Sequence, residues 1–114
     1  MKKIYLYDLN MPSLMAFVCI EIQEKGVEII HVDKLTWIDD DDNYPVVINP
    51  LSSLSVAHWE GIKQFINHPS DRKIIMVTPD YSKIQLEGII GVHPNVKIFG
   101  HEIDFNLLFK ELTD

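Results

Sequence analysis

Four residues of this 114-residue chain stand where apolar runs end: Asp8 after residues 3–7 (K-I-Y-L-Y), Asn49 in residues 44–50 (Y-P-V-V-I-N-P), Thr78 after residues 73–77 (K-I-I-M-V), and His101 just beyond residues 96–99. In a parallel α/β sheet the reacting groups sit outside the carboxyl ends of the strands, so these four share a crevice if the runs are strands. A carboxylate, an amide, a hydroxyl and an imidazole together can hydrogen-bond a polar ligand or coordinate a cation weakly, with Asp8 as the one candidate metal ligand. The residue ending the central run decides most of this chemistry, and Asn49 is an amide rather than an acid.

Other motifs are better read as structure. Asp39, Asp41 and Asn43 have the spacing of a calcium loop, but Tyr44 falls where the sharp turn needs glycine and Pro50 where a bidentate Glu belongs, so residues 39–42 read as a solvated acidic loop. The H-x-E of His58-Trp59-Glu60 lacks the cysteines of a zinc deaminase, and Trp59 is expected to face the core. Gly88 and Gly91 are too sparse for a phosphate loop and suit close packing or a helix end. Cys19, near the apolar face of a helix, reads as a buried inert thiol, and His31, within a strand, as a hydrogen-bonded structural residue. His101 is the histidine to watch, because it falls at a strand end.

The elements that position these residues follow from periodicity. Residues 3–7, 27–32 (V-E-I-I-H-V), 44–50, 73–77 and 96–99 predict five strands. Asn10 is a cap and Pro12 a first-turn residue for a helix carrying Leu14, Met15, Val18 and Ile22 and stopped by Gly26. Ser52, Ser53 and Ser55 offer caps for a helix with Trp59, Ile62, Phe65 and Ile66, ended by Pro69. Ser82 and Gln85 have capping-box spacing ahead of Leu86, Ile89 and Ile90. Asp104 caps a last helix with an apolar stripe of Phe105, Leu108, Phe109 and Leu112. Between the second and third strands only a stub of helix fits. Alternating strands and helices predict an α/β fold: a three-layer doubly wound sandwich with a five-stranded parallel sheet of order 2-1-3-4-5 and a shortened second helix.

Composition narrows the partners. Residues 1–114 fit a single domain with a substantial core. The net charge of −7 and the absence of a basic run argue against nucleic acid and anionic membranes as partners, leaving proteins or cations. A single cysteine excludes an internal disulfide and any multi-cysteine zinc or iron–sulfur site, which suits a reducing cytoplasm. The Lys2-Lys3 start lacks the features of a signal peptide, and no run approaches the length of a membrane span.

An acid ending the first strand, a hydroxyl ending the fourth, a helix-capping acid after the fifth and the strand-helix alternation together resemble the receiver domain of two-component response regulators. Residues 98–108 (I-F-G-H-E-I-D-F-N-L-L) are similar to that family's apolar pair, small residue, Lys-Pro-Phe-Asp and apolar helix. The resemblance implies a carboxylate nucleophile, acids for Mg²⁺, a lysine on the phosphoryl oxygens and a switch hydroxyl. Asp8 matches the first acid and Thr78 the hydroxyl. Leu9, however, stands at the second acid, Asn49 at the nucleophile, His101 at the lysine and Glu102 at the following proline. Residues 8–12 (D-L-N-M-P) also resemble the phosphoacceptor loop, which would make Asp8 the nucleophile of a rearranged receiver. Val32-Asp33 supplies no matching hydroxyl one strand later, and the same residues suit any strand-to-helix junction.

The resemblance therefore implies a non-phosphorylatable pseudo-receiver: a cytoplasmic protein-interaction module, not an enzyme, with no cofactor. It would bind a protein partner or a second copy through a face near Tyr81, Lys83, Glu87, Glu102 and Asn106. A small-molecule or metal binder using the strand-end crevice, and an atypical phosphoreceiver using Asp8, are the alternatives.

Overall fold

The computed structural model describes residues 2–9, 13–50, 54–68 and 70–113. Five parallel strands, β1 (Lys2–Asp8), β2 (Val27–His31), β3 (Val46–Asn49), β4 (Ile74–Val77) and β5 (Val96–Phe99), form one sheet of order β2-β1-β3-β4-β5. The register runs from Lys2 opposite Val27 to Leu6 opposite His31, and from Tyr5 opposite Val46 to Asp8 opposite Asn49. Four helices return the chain: α1 (Ser13–Glu24), α2 (Val56–Asn67), α3 (Lys83–Ile90) and α4 (Phe105–Thr113). This is the parallel α/β architecture and strand order that the periodicity predicts. Among the described residues no helix is long and apolar enough to cross a membrane.

Strand alternation divides the core between the two faces, because successive side chains of a strand point to opposite sides. Ile4, Leu6, Val47, Ile75, Val77 and Phe99 pack with α1 and α4. Tyr5, Tyr7, Val46, Ile48, Ile74 and Met76 pack with α2 and α3. Both faces of β3 and β4 are buried, which explains why those segments read as unbroken apolar runs.

The helix ends obey local chemistry. Ser55 accepts from the His58 N–H at the start of α2, and Ser82 and Gln85 form a complete capping box on α3. Asp104 accepts from the Leu107 N–H ahead of α4. Gly26 ends α1 with φ +89°, a conformation that costs other L-residues. The expected caps Asn10, Ser52 and Ser53, and Pro12 and Pro69, lie outside the described residues. Strand three is shorter than residues 44–50: neither proline carries an N–H for the ladder, and Pro45 contributes only its carbonyl, to the Tyr5 N–H.

The β2–β3 crossover holds only a 3₁₀ turn, Leu35–Trp37, in place of a full helix. What fixes the rest of it corrects the reading of residues 39–42 as a merely solvated loop. Asp39, Asp40 and Asp41 are exposed, but Asp42 is partly buried against Arg72, the only arginine of the chain. Arg72 is 5% exposed and donates to Asp42 Oδ1 at 3.0 Å and to the carbonyls of Asp39, Asp42 and Tyr44 at 2.6, 2.7 and 3.1 Å. Its guanidinium also lies over the Tyr5 ring, whose hydroxyl donates to the other Asp42 oxygen. Burial opposes ionisation of Asp42, but the Tyr5 and Tyr44 donors and the Arg72 charge outweigh it and hold the carboxyl below its ordinary range. A second anchor lies on the α4 side of the sheet, where Glu111 pairs with Lys73 and Lys97 and is likewise held low, by its bonds to those two lysines.

Arg72→Met should cost about 3–5 kcal/mol, because it leaves Asp42 buried without its counter-charge; urea unfolding measures this. Both carboxyls have depressed folded-state values. The stability they contribute is therefore fully present above the unfolded-state values, near 4, and is lost as pH falls through the folded ones. Asp42→Asn should flatten that acid limb in a pH series of melting curves.

Candidate functional site

The carboxyl edge of the sheet carries three of the four expected residues on adjacent strands. Asp8 shares the face of Ile4 and Leu6, and Asn49 that of Val47, so the last residues of β1 and β3 meet on the α1 side. Asn49 Nδ2 donates to Asp8 Oδ1 at 3.0 Å. The Leu9 N–H donates to the Asn49 carbonyl at 2.9 Å, carrying the β1–β3 ladder one residue past the strand. Thr78, one residue beyond β4, donates its N–H to the Phe99 carbonyl at 2.9 Å. Asn49 and Thr78 are buried, and Asn49 Oδ1 and Thr78 Oγ1 have no hydrogen-bond partner among the described residues.

The other two positions depart from a phosphorylation pocket. Leu9, one residue past Asp8, packs into the α2 side core, so it supplies neither a charge nor an oxygen to the crevice. His101 is exposed in the β5–α4 loop. Among the described residues no group of three or more His, Cys, Asp or Glu side chains comes together to hold a metal ion. The Mg²⁺ that a receiver uses does not fit this donor set: one carboxylate and a neutral amide replace the cluster of acids that a hard dication requires. The arrangement can orient a carboxylate and offer two buried oxygens. The residue ending β3 is the Asn49 amide rather than an acid.

The small residue before His101 has a steric role. A Cβ on Gly100 would stand 2.7 Å from the Tyr81 carbonyl oxygen and 3.0 Å from the Lys83 nitrogen, so only glycine lets the β5–α4 loop close on the β4–α3 loop. This contact brings together the two segments expected to form the partner face. Tyr81 is half-buried, edge-on to Trp59 at 5.9 Å between ring centroids. Lys83 opens α3 with its side chain exposed, Glu87 is half-buried one turn on, and Glu102 and Asn106 are exposed across the gap. Ile84 is 81% exposed beside them.

The remaining candidates fall into structural places. Cys19 is half-buried against the α1 side core, and burial together with the Asp8 charge pushes its thiol up, as an inert thiol requires. His58 is exposed, with Nδ1 2.8 Å from the Ser55 hydroxyl, while Trp59 packs on the core as expected. Gly88 lies within α3, and Gly91 ends it with φ +85°. His31 is the exposed last residue of β2, paired through its backbone opposite Leu6, rather than a residue inside the strand.

Sequence reasoning missed Arg72 and a groove beside α2, lined at its base by Tyr7 and Ile62. A lone arginine paired with an aspartate run was the legible signal for the first. The missing helical period in residues 32–45 was the signal for the second. No family model and no curated protein matches the chain.

Asn49→Asp should place a second carboxylate about 3 Å from Asp8 at a buried site, where two like charges cannot both ionise easily. The variant should be about 1–3 kcal/mol less stable than wild type at pH 7, and the deficit should shrink as pH falls and one carboxyl takes up a proton. Urea titrations at pH 7 and pH 5 would read this difference.

Proposed function

We propose that this protein is a pseudo-receiver: a scaffold of the receiver type, without phosphorylation chemistry, that acts by binding a protein partner in the cytoplasm. The observation that carries the reading is the Asn49 amide at the end of β3, donating to Asp8 where a nucleophilic carboxylate would be needed. An amide forms no acyl phosphate. Leu9 and His101 remove the second metal ligand and the fixed positive charge, so the loss extends beyond the nucleophile, and only the first acid, Asp8, and the hydroxyl, Thr78, are kept.

What remains is a surface. The β4–α3 and β5–α4 loops meet through Gly100, and Tyr81, Lys83, Glu87, Glu102 and Asn106 sit around that contact with exposed Ile84 among them. Mixed charges around an exposed aliphatic side chain suit a protein partner or a second copy better than a small ligand. Incubation with Mg²⁺ and acetyl phosphate should leave the protein unmodified, and Asn49→Asp alone should not change that. Stoichiometric, hydroxylamine-labile phosphate on the wild type would overturn the proposal.

A second reading has one observation in its favour. The buried Asn49 Oδ1 and Thr78 Oγ1, which have no partner among the described residues, could receive a small polar ligand or cation in the crevice. Such a ligand would raise the thermal midpoint by mass action. A screen of divalent ions, nucleotides and flavins that shifts the wild type but not Asp8→Ala would favour it.

A further inference from the structure

The β2–β3 crossover of a doubly wound sheet ordinarily carries a helix. Here residues 32–45 carry one 3₁₀ turn and the loop held by Arg72, and they give the core only Val32, Leu35, Ile38 and Tyr44. Between this segment and α2 runs an open groove of about 660 Å³. Its α2 wall is formed by Ala57, Gly61, Phe65 and His68, a stripe at four-, four- and three-residue spacing that spans nearly all of the helix, about 17 Å. A groove parallel to a helix along its whole length fits a rod rather than a compact ligand.

Two details describe what would lie in it. Gly61, midway along the wall, has no atom within 4 Å of where a Cβ would stand, so a second backbone can approach α2 closely there. Tyr7, at the base, is 6% exposed, and what remains accessible of it lines the groove. The base is thus apolar apart from one phenol. Of the carboxylates and lysines that line the groove, Asp33 and Asp40 outnumber Lys34, beside His58 and His68; exposed Asp39 and Asp41 flank Asp40 in the chain, whose net charge is −7.

We propose that this groove is the docking site for one amphipathic α-helix of a protein partner, apolar on the face that enters and bearing Lys or Arg on its flanks. The partner helix occupies the place beside α2 that the shortened crossover leaves open. Small residues of that helix meet Gly61, an apolar stripe covers Ile62 and Phe65, a polar group on the entering face reaches the Tyr7 hydroxyl, and the basic flanks face the aspartates. This site is separate from the face around Tyr81, and it does not depend on whether the strand-end pocket is active.

The test is an NMR titration of the full ¹⁵N-labelled chain with a lactam-bridged helical peptide of roughly 16 residues, long enough to span α2. The peptide carries a Leu/Ala stripe, one Ser on that face, and Lys and Arg on its flanks. Controls are the same peptide with Glu for every Lys and Arg, and an isomer of identical composition with the stripe scrambled. Shift changes should concentrate in residues 33–40 and 57–68. The basic helix should bind at least about tenfold tighter than either control, with the preference over the acidic one shrinking in high salt. Gly61→Leu should abolish binding without lowering the thermal midpoint, since leucine improves a helix interior and fills only open space. Tyr7→Phe should weaken binding roughly threefold to tenfold while the fold keeps its stability, because the change removes one hydroxyl and leaves the ring packing in place. Failure of the basic helix to perturb groove residues, equal affinity for the acidic peptide, or undiminished binding by Gly61→Leu would each overturn the proposal. So would shifts at the same residues that grow with protein concentration in the absence of peptide, which would assign the groove to a second copy.

Discussion

The architecture around the crossover depends on one buried guanidinium. Arg72 gathers the Asp42 carboxylate and three backbone carbonyls of the same loop, groups that would otherwise be desolvated without partners. Burying a charge is costly unless it is paired and fully hydrogen-bonded, and here both conditions are met. The clamp lets a segment with almost no regular structure return the chain from β2 to β3 at the edge of the core. It also fixes the acidic turn in place, with the Asp41 N–H bonded to Asp39 and the remaining carboxylates left facing solvent.

The same economy governs the strand ends. Period-two alternation that buries Ile4 and Leu6 on one face and Tyr5 and Tyr7 on the other also places Asp8 beside Asn49 and turns Leu9 into the opposite core. Because the position of each side chain is set by strand register, no local rotation can convert Leu9 into a ligand for the crevice. The carboxylate and the amide are joined by a hydrogen bond. It closes the β1–β3 junction in the manner of a structural contact.

Two surface features stand out. Around Gly100 two loops approach at backbone distance and present polar side chains beside exposed Ile84. On the other side of α2, the short crossover leaves an elongated groove that Asp33 and Asp40 help to line. Both arise at places where the chain departs from regular helix or strand, where backbone geometry rather than propensity decides what solvent can reach.

The one-dimensional pattern determined the elements and their order. Unbroken apolar runs of four or five residues can only be strands buried on both faces, and the helices between them make a parallel sheet the consistent arrangement. The capping box at Ser82, the cap at Asp104 and the stop at Gly26 are local interactions within a few residues, so they too were legible. That Asn49 ends β3 followed from the run itself, whereas its hydrogen bond to Asp8 needed the register of β1 against β3. Tertiary structure alone decided the rest. Nothing local marks Arg72 as buried, because its partners lie about thirty residues away, and an aspartate run looks solvated until a cation is folded against it. The exposure of His101 depends on the path of a loop, and that of His31 on where the β2 ladder stops. The groove beside α2 exists only because two segments some twenty residues apart fail to fill the space between them, and the missing helical period of residues 32–45 is only an indirect trace of that empty volume.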